Sequence, residues 1–410
     1  MLVSASQTME TTTFFHRSLA NATKELLASV TDAPSDLESL DQPGCDFVLN
    51  LSSGADLEFF LYSQIDIFFL TVFLPIVMVV GVLDNAAFIY VVLRIPRMHT
   101  VTNCYLVGLS VADIIFLVFA IGSRLWCYVR SPIVGDDNPL GLAGCRLNQF
   151  MVNTSYFASL FFITLVSWER FNGVCRPHKR RDSKLMVLAS VVLSTTVSGI
   201  LAASLLVSYG VESYDCITWP SSPKYTDWPD RRMFCGVAFP WADKFTYATQ
   251  TVPFFVSLIA NTFLYYRIIH GLDQSIRRTQ QSNHRKSRDS STRNQVARML
   301  VINGVALFAL LAPFEIMSLF SLIAMFREGE FILDLDVRQV VVYIARVLSY
   351  LNSIVNPIIY TVFSSRYREA FQIAFLPAKC RPRPKSSENS QPGSTGRSGT
   401  MTTRAQESRI

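Results

Sequence analysis

VVVYIARVLSYLNSIVNPIIYTVF, residues Val340–Phe363, holds one base, Arg346, and no acid, and it is long enough to cross the ~30 Å hydrocarbon core of a bilayer as a helix. Pro357 stands inside the run; its ring breaks the helical hydrogen-bond ladder and frees a carbonyl that water or a side chain must satisfy. Toward the N-terminus, further runs of spanning length cover Ile65–Leu93, Val101–Ile121, Leu147–Val174, Lys184–Val207, Phe245–Ile269 and Val296–Phe326. Backbone polar groups find no water in hydrocarbon, so each span must satisfy its own ladder as a helix. The fold expected is an all-α membrane protein, a bundle of seven transmembrane helices over residues 65–363.

Composition agrees. The chain has 410 residues, half of them apolar and only 17% charged, where a soluble protein carries roughly 25% charged residues. Mean hydropathy is +0.30, which excludes a string of soluble domains. The excess of 37 basic over 31 acidic residues is too small to indicate nucleic acid. Its placement is more informative. Residues 1–64 hold nine acids against Arg17 and Lys24, whereas residues 364–410 hold nine bases against Glu369, Glu388 and Glu407. Basic flanks stay cytoplasmic, so the C-terminus is expected inside and the N-terminus outside a plasma membrane, which requires an odd number of crossings. The loops agree: Arg94 and Arg97, then Arg176, Lys179, Arg180 and Arg181, then Arg277, Arg278, Arg285 and Lys286 fall inside, while Asp136, Asp137, Glu212, Asp215, Asp227 and Asp230 fall outside. No signal peptide is evident at Met1, so the first span is expected to serve as its own insertion signal.

The ends read differently from the bundle. Residues 1–64 form an extracellular, unstructured tail with glycosylation sequons at Asn21 and Asn50; a third, at Asn153, lies within a span and out of reach. Residues 364–376 place Tyr367, Phe371 and Phe375 on one face beside Arg366 and Arg368, as in an amphipathic helix lying on the inner surface of the lipid bilayer. Cys380 follows, a palmitoylation site or a free cytosolic thiol. Residues 377–410 are a Pro/Ser/Thr/Arg-rich, disordered cytoplasmic tail.

Polar residues inside spans are costly and call for a functional reading. Asn85, Leu109-Ser-Val-Ala-Asp113, Glu169-Arg170-Phe171 and Asn356-Pro-Ile-Ile-Tyr360 occur in that order on successive or neighbouring spans. This set resembles the rhodopsin-like G-protein-coupled receptors. Three patches, Met98–Asp113, Asn294–Leu300 with Leu307–Leu311, and Tyr350–Tyr360, resemble the thyrotropin-releasing-hormone receptors. The resemblance implies that Glu169 and Arg170 form the G-protein switch with Pro313, Pro357 and Tyr360. It further implies that Asp113, Ser159, Asn352 and Asn356, beside Asn85, hold a sodium ion and waters; several oxygens around a carboxylate suit a hard cation. Also implied is a bridge from Cys145 to the second outer loop, with Cys235 at the better spacing from Pro253, which leaves Cys216 to pair with Cys127 or Cys45.

Arg346 corresponds to an arginine that contacts hormone in the resembled subfamily, and a buried arginine needs a carboxylate or carbonyl partner. The ligand is one such partner and Glu315 another. Asn153, Tyr156, Phe157, Phe314 and Tyr343 complete the implied peptide pocket, beneath a long second outer loop able to pair strands as a lid. Val152 stands where amine receptors carry an acid. The chain also departs from the pattern: no Trp precedes Pro313, Asn261 stands where a Tyr is usual with Tyr265 one turn later, and Asp84 adds an acid beside Asn85.

The function expected is therefore a neuropeptide-activated receptor that couples to a heterotrimeric G protein of the phospholipase-activating class. Arrestin and a receptor kinase are expected at tail residues such as Ser386, Ser390 and Thr395, and a PDZ protein at Ser408-Arg-Ile410. A non-coupling or constitutively active receptor-like protein is the alternative. A transporter would show repeated halves. An enzyme would show paired catalytic groups, and there is no Gly-x-Ser-x-Gly or His-Glu-x-x-His.

Overall fold

The computed structural model describes residues 45, 47–52, 57–176, 183–209, 211–236, 240–280, 287–327 and 335–376. Among them are seven helices long and apolar enough to cross a membrane: Gln64–Arg94, Val101–Arg130, Gly141–Cys175, Lys184–Ser208, Trp241–Leu272, Asn294–Phe326 and Val340–Phe363. Several begin at side-chain caps. Ser63 and Asp66 exchange the reciprocal bonds of a capping box at the first span, while Thr100 and Ser183 accept from the backbone N–H of Asn103 and Met186 at the second and fourth. Such caps satisfy N–H groups that the helical ladder leaves open. Within the first span the ladder widens to a π turn over Phe69–Phe73, immediately before Pro75, which has no N–H to continue the α pattern.

Burial sets the arrangement. Two thirds of the apolar window of the third span is enclosed (67%), against 17% for the first and fourth, so the third span is the axis and those two face lipid. The second span buries Leu106, Leu109, Ser110, Asp113, Phe116 and Leu117, the i, i+3, i+4 rhythm of one helix face. It continues as helix to Arg130 rather than stopping at Ile121, because the ladder tolerates the polar residues that end the apolar run. The core between the second, third, sixth and seventh spans contains Leu106, Leu109, Val166, Met299 and Tyr360, all nearly inaccessible.

A small sheet closes one end. β2 (Val211–Thr218) pairs antiparallel with β3 (Arg231–Gly236), and β1 (Phe47–Asn50) pairs parallel with β2, Phe47 against Asp215 through Asn50 against Thr218. The 1–64 segment is thus not structureless throughout: β1, the helical turn Leu57–Phe60 and the start of the first span all lie within it. Two forces hold it. The Cys45–Cys216 disulfide ties it to β2, and Leu49, Leu51 and Phe60 pack with Ile133 and Ile217 in a core of their own. Cys145–Cys235 joins the third span to β3. Cys216 therefore pairs with Cys45, and Cys127 is a buried free thiol. Beyond the strands, Trp219, Tyr225 and Trp228 stack edge and face at the tip of the hairpin.

At the opposite end, Ser365–Phe375 forms the expected amphipathic helix. Tyr367 donates to Asn103 Oδ1 at 2.5 Å, Arg366 donates to the Arg97 carbonyl at 2.6 Å, and Arg97 pairs with Glu369 at 3.3 Å. We call the two ends of the bundle the disulfide end and the basic end.

Candidate functional site

Three polar groups line up along the bundle. Nearest the basic end, Arg170 Nε donates to Glu169 Oε2 at 2.5 Å. The Thr102 hydroxyl donates to the same carboxylate oxygen at 2.8 Å, and the Arg170 guanidinium also meets Thr102. The second span thereby clasps the charge pair of the third, a partner that no motif in the sequence announced. Tyr360 is fully buried there, its ring against Phe88 and Tyr367, and Pro357 lies inside the seventh helix one turn before it.

In the middle of the bundle, Asp113 is 1% exposed and accepts from Asn356 Nδ2 at 2.7 Å. The Asn85 amide donates to the Ser353 carbonyl at 2.8 Å, to the Gly81 carbonyl at 2.9 Å and to Asp84 Oδ1 at 3.1 Å. Ser353 lies within the seventh helix four residues before Pro357, so Asn85 ties the first span to the segment that Pro357 weakens. Ser159 and Asn352 are buried. The Oδ1 atoms of Asn85 and Asn352 and the Ser110 hydroxyl have no partner among the described residues.

Toward the disulfide end the polar groups are sparser. Tyr156 donates to Glu315 Oε1 at 2.7 Å. Asn153 is fully buried; its amide donates to the Gln149 carbonyl at 2.8 Å and its Oδ1 accepts from Gln250 at 3.3 Å. Phe157 belongs to the apolar core with Leu160, Phe254 and Leu307, whereas Phe314 packs with Tyr247 and Ala345. Tyr343 sets its ring edge-on to Phe69, centroids 4.9 Å apart. Arg346 is half-buried, and its Nε has no partner. Among the described residues no ion pair joins it to Glu315, the protein partner suggested by sequence. Pro313 stands in the sixth helix, preceded by Phe308 and Leu311 in the core rather than by a Trp.

Above these groups the sheet brings its own charges. Arg232 is buried and pairs with Asp215 at 2.8 Å, with its guanidinium over the Phe234 ring at 4.2 Å; burial lowers its affinity for a proton despite that partner. Asp137 accepts weakly from the Cys235 backbone N–H at 3.5 Å, and burial pushes its carboxyl up to about 6. Asn50 is exposed in β1, its Oδ1 accepting from the Ser52 hydroxyl at 2.6 Å. Asn21, Cys380 and the tail Ser and Thr residues lie outside the described residues.

A buried carboxylate on the second span held by an asparagine before a proline on the seventh, an Arg beside a Glu at the end of the third, and a disulfide from the start of the third to a loop hairpin make one constellation. The model of the 7 transmembrane receptor (rhodopsin family) matches residues 84–360, most of the chain. The chain belongs to the rhodopsin family of receptors. Similar proteins include somatostatin receptor type 4 of Rattus norvegicus, 28% identical over 301 residues, 72% of this chain and 70% of that protein. Somatostatin receptor type 5 of Rattus norvegicus is 28% identical over 306 residues, covering 72% and 75%. A neuromedin U receptor homolog of Caenorhabditis elegans is 24% identical over 313 residues, covering 72% and 76%. This receptor is thus a multi-pass membrane protein, not an enzyme.

What the motifs missed in the receptor depends on distant side chains meeting. Thr102 is one case. Tyr265 is another: its hydroxyl accepts from Ser167 at 3.1 Å, and the ring lies so close to Gly304 that a Cβ there would fall on the phenol oxygen. Asn261, one turn earlier, donates to Thr164 at 2.8 Å. The replaced Tyr position thus serves as a tie between the third and fifth spans.

Proposed function

We propose that this receptor has its disulfide end outside the cell, binds an extracellular peptide there, and activates a heterotrimeric G protein of the phospholipase-activating class at the basic end. The single observation that carries the ligand side is the set of buried, unpartnered polar atoms on the third, sixth and seventh spans: Gln149 Oε1, Glu315 Oε2, Ser318 Oγ, Tyr343 OH and Arg346 Nε. Buried polar groups are normally paired, so this cluster suits a polar ligand. Arg346 serves as anchor, in keeping with the resemblance to thyrotropin-releasing-hormone receptors. The relatives named for somatostatin and neuromedin U, both peptides, support a peptide.

On the coupling side, the Glu169–Arg170–Thr102 clasp holds the guanidinium on its own span; release of that clasp frees it for a G protein. Arrestin and a receptor kinase act on the C-terminal tail, and a PDZ domain takes Ser408-Arg-Ile410. The donor set at Asp113 fits a sodium ion: a carboxylate, the Ser159 hydroxyl and the open oxygen of Asn352 are the hard ligands such a cation takes. When bound, the ion supplies a positive charge that steadies the resting bundle.

Calcium release in cells displaying the receptor and challenged with a neuropeptide library tests this reading. A peptide that evokes release in displaying cells, and loses it in Arg346→Ala, is the expected result. Surface display with measurable peptide binding but no release would favour the non-coupling alternative, which the absent sixth-span Trp supports.

A further inference from the structure

Glu315 and Arg346 carry opposite charges toward the same end of neighbouring spans and do not pair. The ion pairs among the described residues are Arg97–Glu369, Arg170–Glu169 and Arg232–Asp215. Glu315 is 2% exposed; one carboxylate oxygen accepts from Tyr156, and the other is buried with no partner. Arg346 Nε is equally unpartnered, as is the hydroxyl of Tyr343, three residues earlier on the same helix. Phe314 and Ala345, the sequence neighbours of the two charges, pack with Tyr247. Apolar side chains, not a salt bridge, therefore join the sixth and seventh spans at this level.

A charge buried without a partner is costly; Glu315 is buried and Arg346 half-buried, and among the described residues neither forms an ion pair. Each keeps one buried polar atom without a hydrogen-bond partner, Oε2 of Glu315 and Nε of Arg346. That arrangement is the complement of a molecule with an acid at one end and a base at the other.

We propose that the ligand is amphoteric: a carboxylate engages Arg346, and a guanidinium or ammonium group engages the unpartnered Oε2 of Glu315. In peptide terms this is a chain with a free acid and a basic side chain or amine. The inference rests on the reading that this end of the bundle holds the peptide, and it specifies the charge that the peptide must carry.

The test uses the full-length receptor in lipid nanodiscs, read by thermal unfolding. The probes are pooled tetrapeptides carrying Arg or Lys and a free C-terminal carboxylate, the same pools C-amidated, the same pools with norleucine in place of the base, and a series of ω-guanidino carboxylic acids. Free-acid basic pools should stabilise the receptor. Loss of either charge should weaken the apparent affinity by roughly tenfold to a hundredfold, the scale of one charge-assisted hydrogen bond. In Arg346→Gln the preference for acid over amide should vanish, and in Glu315→Gln the preference for base over norleucine. Ligand-free Glu315→Gln and Arg346→Gln should each unfold at a higher temperature than the parent, because an unpaired charge is gone. Lower unfolding temperatures for both, or capped and uncapped pools that act alike, overturn the assignment; in the second case the peptide reading survives. Stabilisation by guanidino acids without any peptide keeps the charge assignment and sinks the peptide reading. No shift with any probe overturns both.

Discussion

The two ends of the bundle treat charge in opposite ways. At the basic end charges are paired, Glu169 with Arg170 under a hydrogen bond from Thr102 and Arg97 with Glu369, and in the middle of the bundle the Asp113 carboxylate accepts from the Asn356 amide. Toward the disulfide end, Glu315 and Arg346 lie within the same helical scaffold without an ionic partner among the described residues. The first pattern is that of a state held closed until something displaces a partner. The second is that of a site that another molecule completes. The sheet above it follows the first pattern again, with Arg232 paired to Asp215, so the open charges are confined to the bundle beneath and do not characterise the whole end.

The contrast breaks most visibly in the sheet. Arg232→Met leaves Asp215 uncompensated, and removal of one partner of a buried pair costs about 3–5 kcal/mol. Thermal unfolding and hydrogen exchange should show β2 and β3 loosened, and the double change Arg232→Met with Asp215→Leu should recover most of the loss. If Arg232→Met proved harmless, pairing would not be what separates the sheet from the open charges below it. Gly304→Ala comes next. The added methyl collides with the Tyr265 phenol, and overpacking of this kind costs about 1–3 kcal/mol; Tyr265→Phe in the same background should restore part of the melting temperature.

A smaller effect sharpens the comparison through pH. Asp137 has its carboxyl raised from 3.8 to about 6, chiefly by burial, with Arg124 pulling the other way. A group raised in the folded state contributes stability that is complete below its unfolded pKa and lost as pH rises through the folded value. Melting temperature should therefore decline between about pH 4 and pH 7, and Asp137→Asn should flatten that part of the profile. The smallest effect belongs to the exposed Arg97–Glu369 pair, whose side chains are 44% and 58% accessible. Glu369→Gln should shift stability by less than about 1 kcal/mol, and the shift should vanish in high salt.

How much of this could be read from the chain depends on distance. Each span, and the amphipathic helix Ser365–Phe375, is a property of a contiguous stretch, and the helices lie where the apolar runs placed them, with ends displaced by up to nine residues, as at Arg130 of the second span, where polar turns extended the ladder. The motif residues of the central cluster also emerged in advance, because Asn85, Asp113 and Asn356 are polar where polarity is costly. The pairing of Glu169 with Arg170 needed only adjacency. Thr102 gave no such signal: a Thr at the start of a helix is ordinary until it faces a carboxylate 67 residues away. Likewise β1 is a four-residue run, Phe47-Val-Leu-Asn50, inside a largely polar and acidic segment, too short to announce a strand, and it becomes one through a disulfide to Cys216 and the open edge of β2.

The amino-acid order by itself determined seven crossings and the receptor family, since a bilayer filters helices by length and polarity and those are one-dimensional quantities. Tertiary structure alone decided that Cys45 rather than Cys127 meets Cys216, and that Glu315 turns to Tyr156 rather than to Arg346. Both outcomes depend on which side chains helix packing brings within a few ångströms.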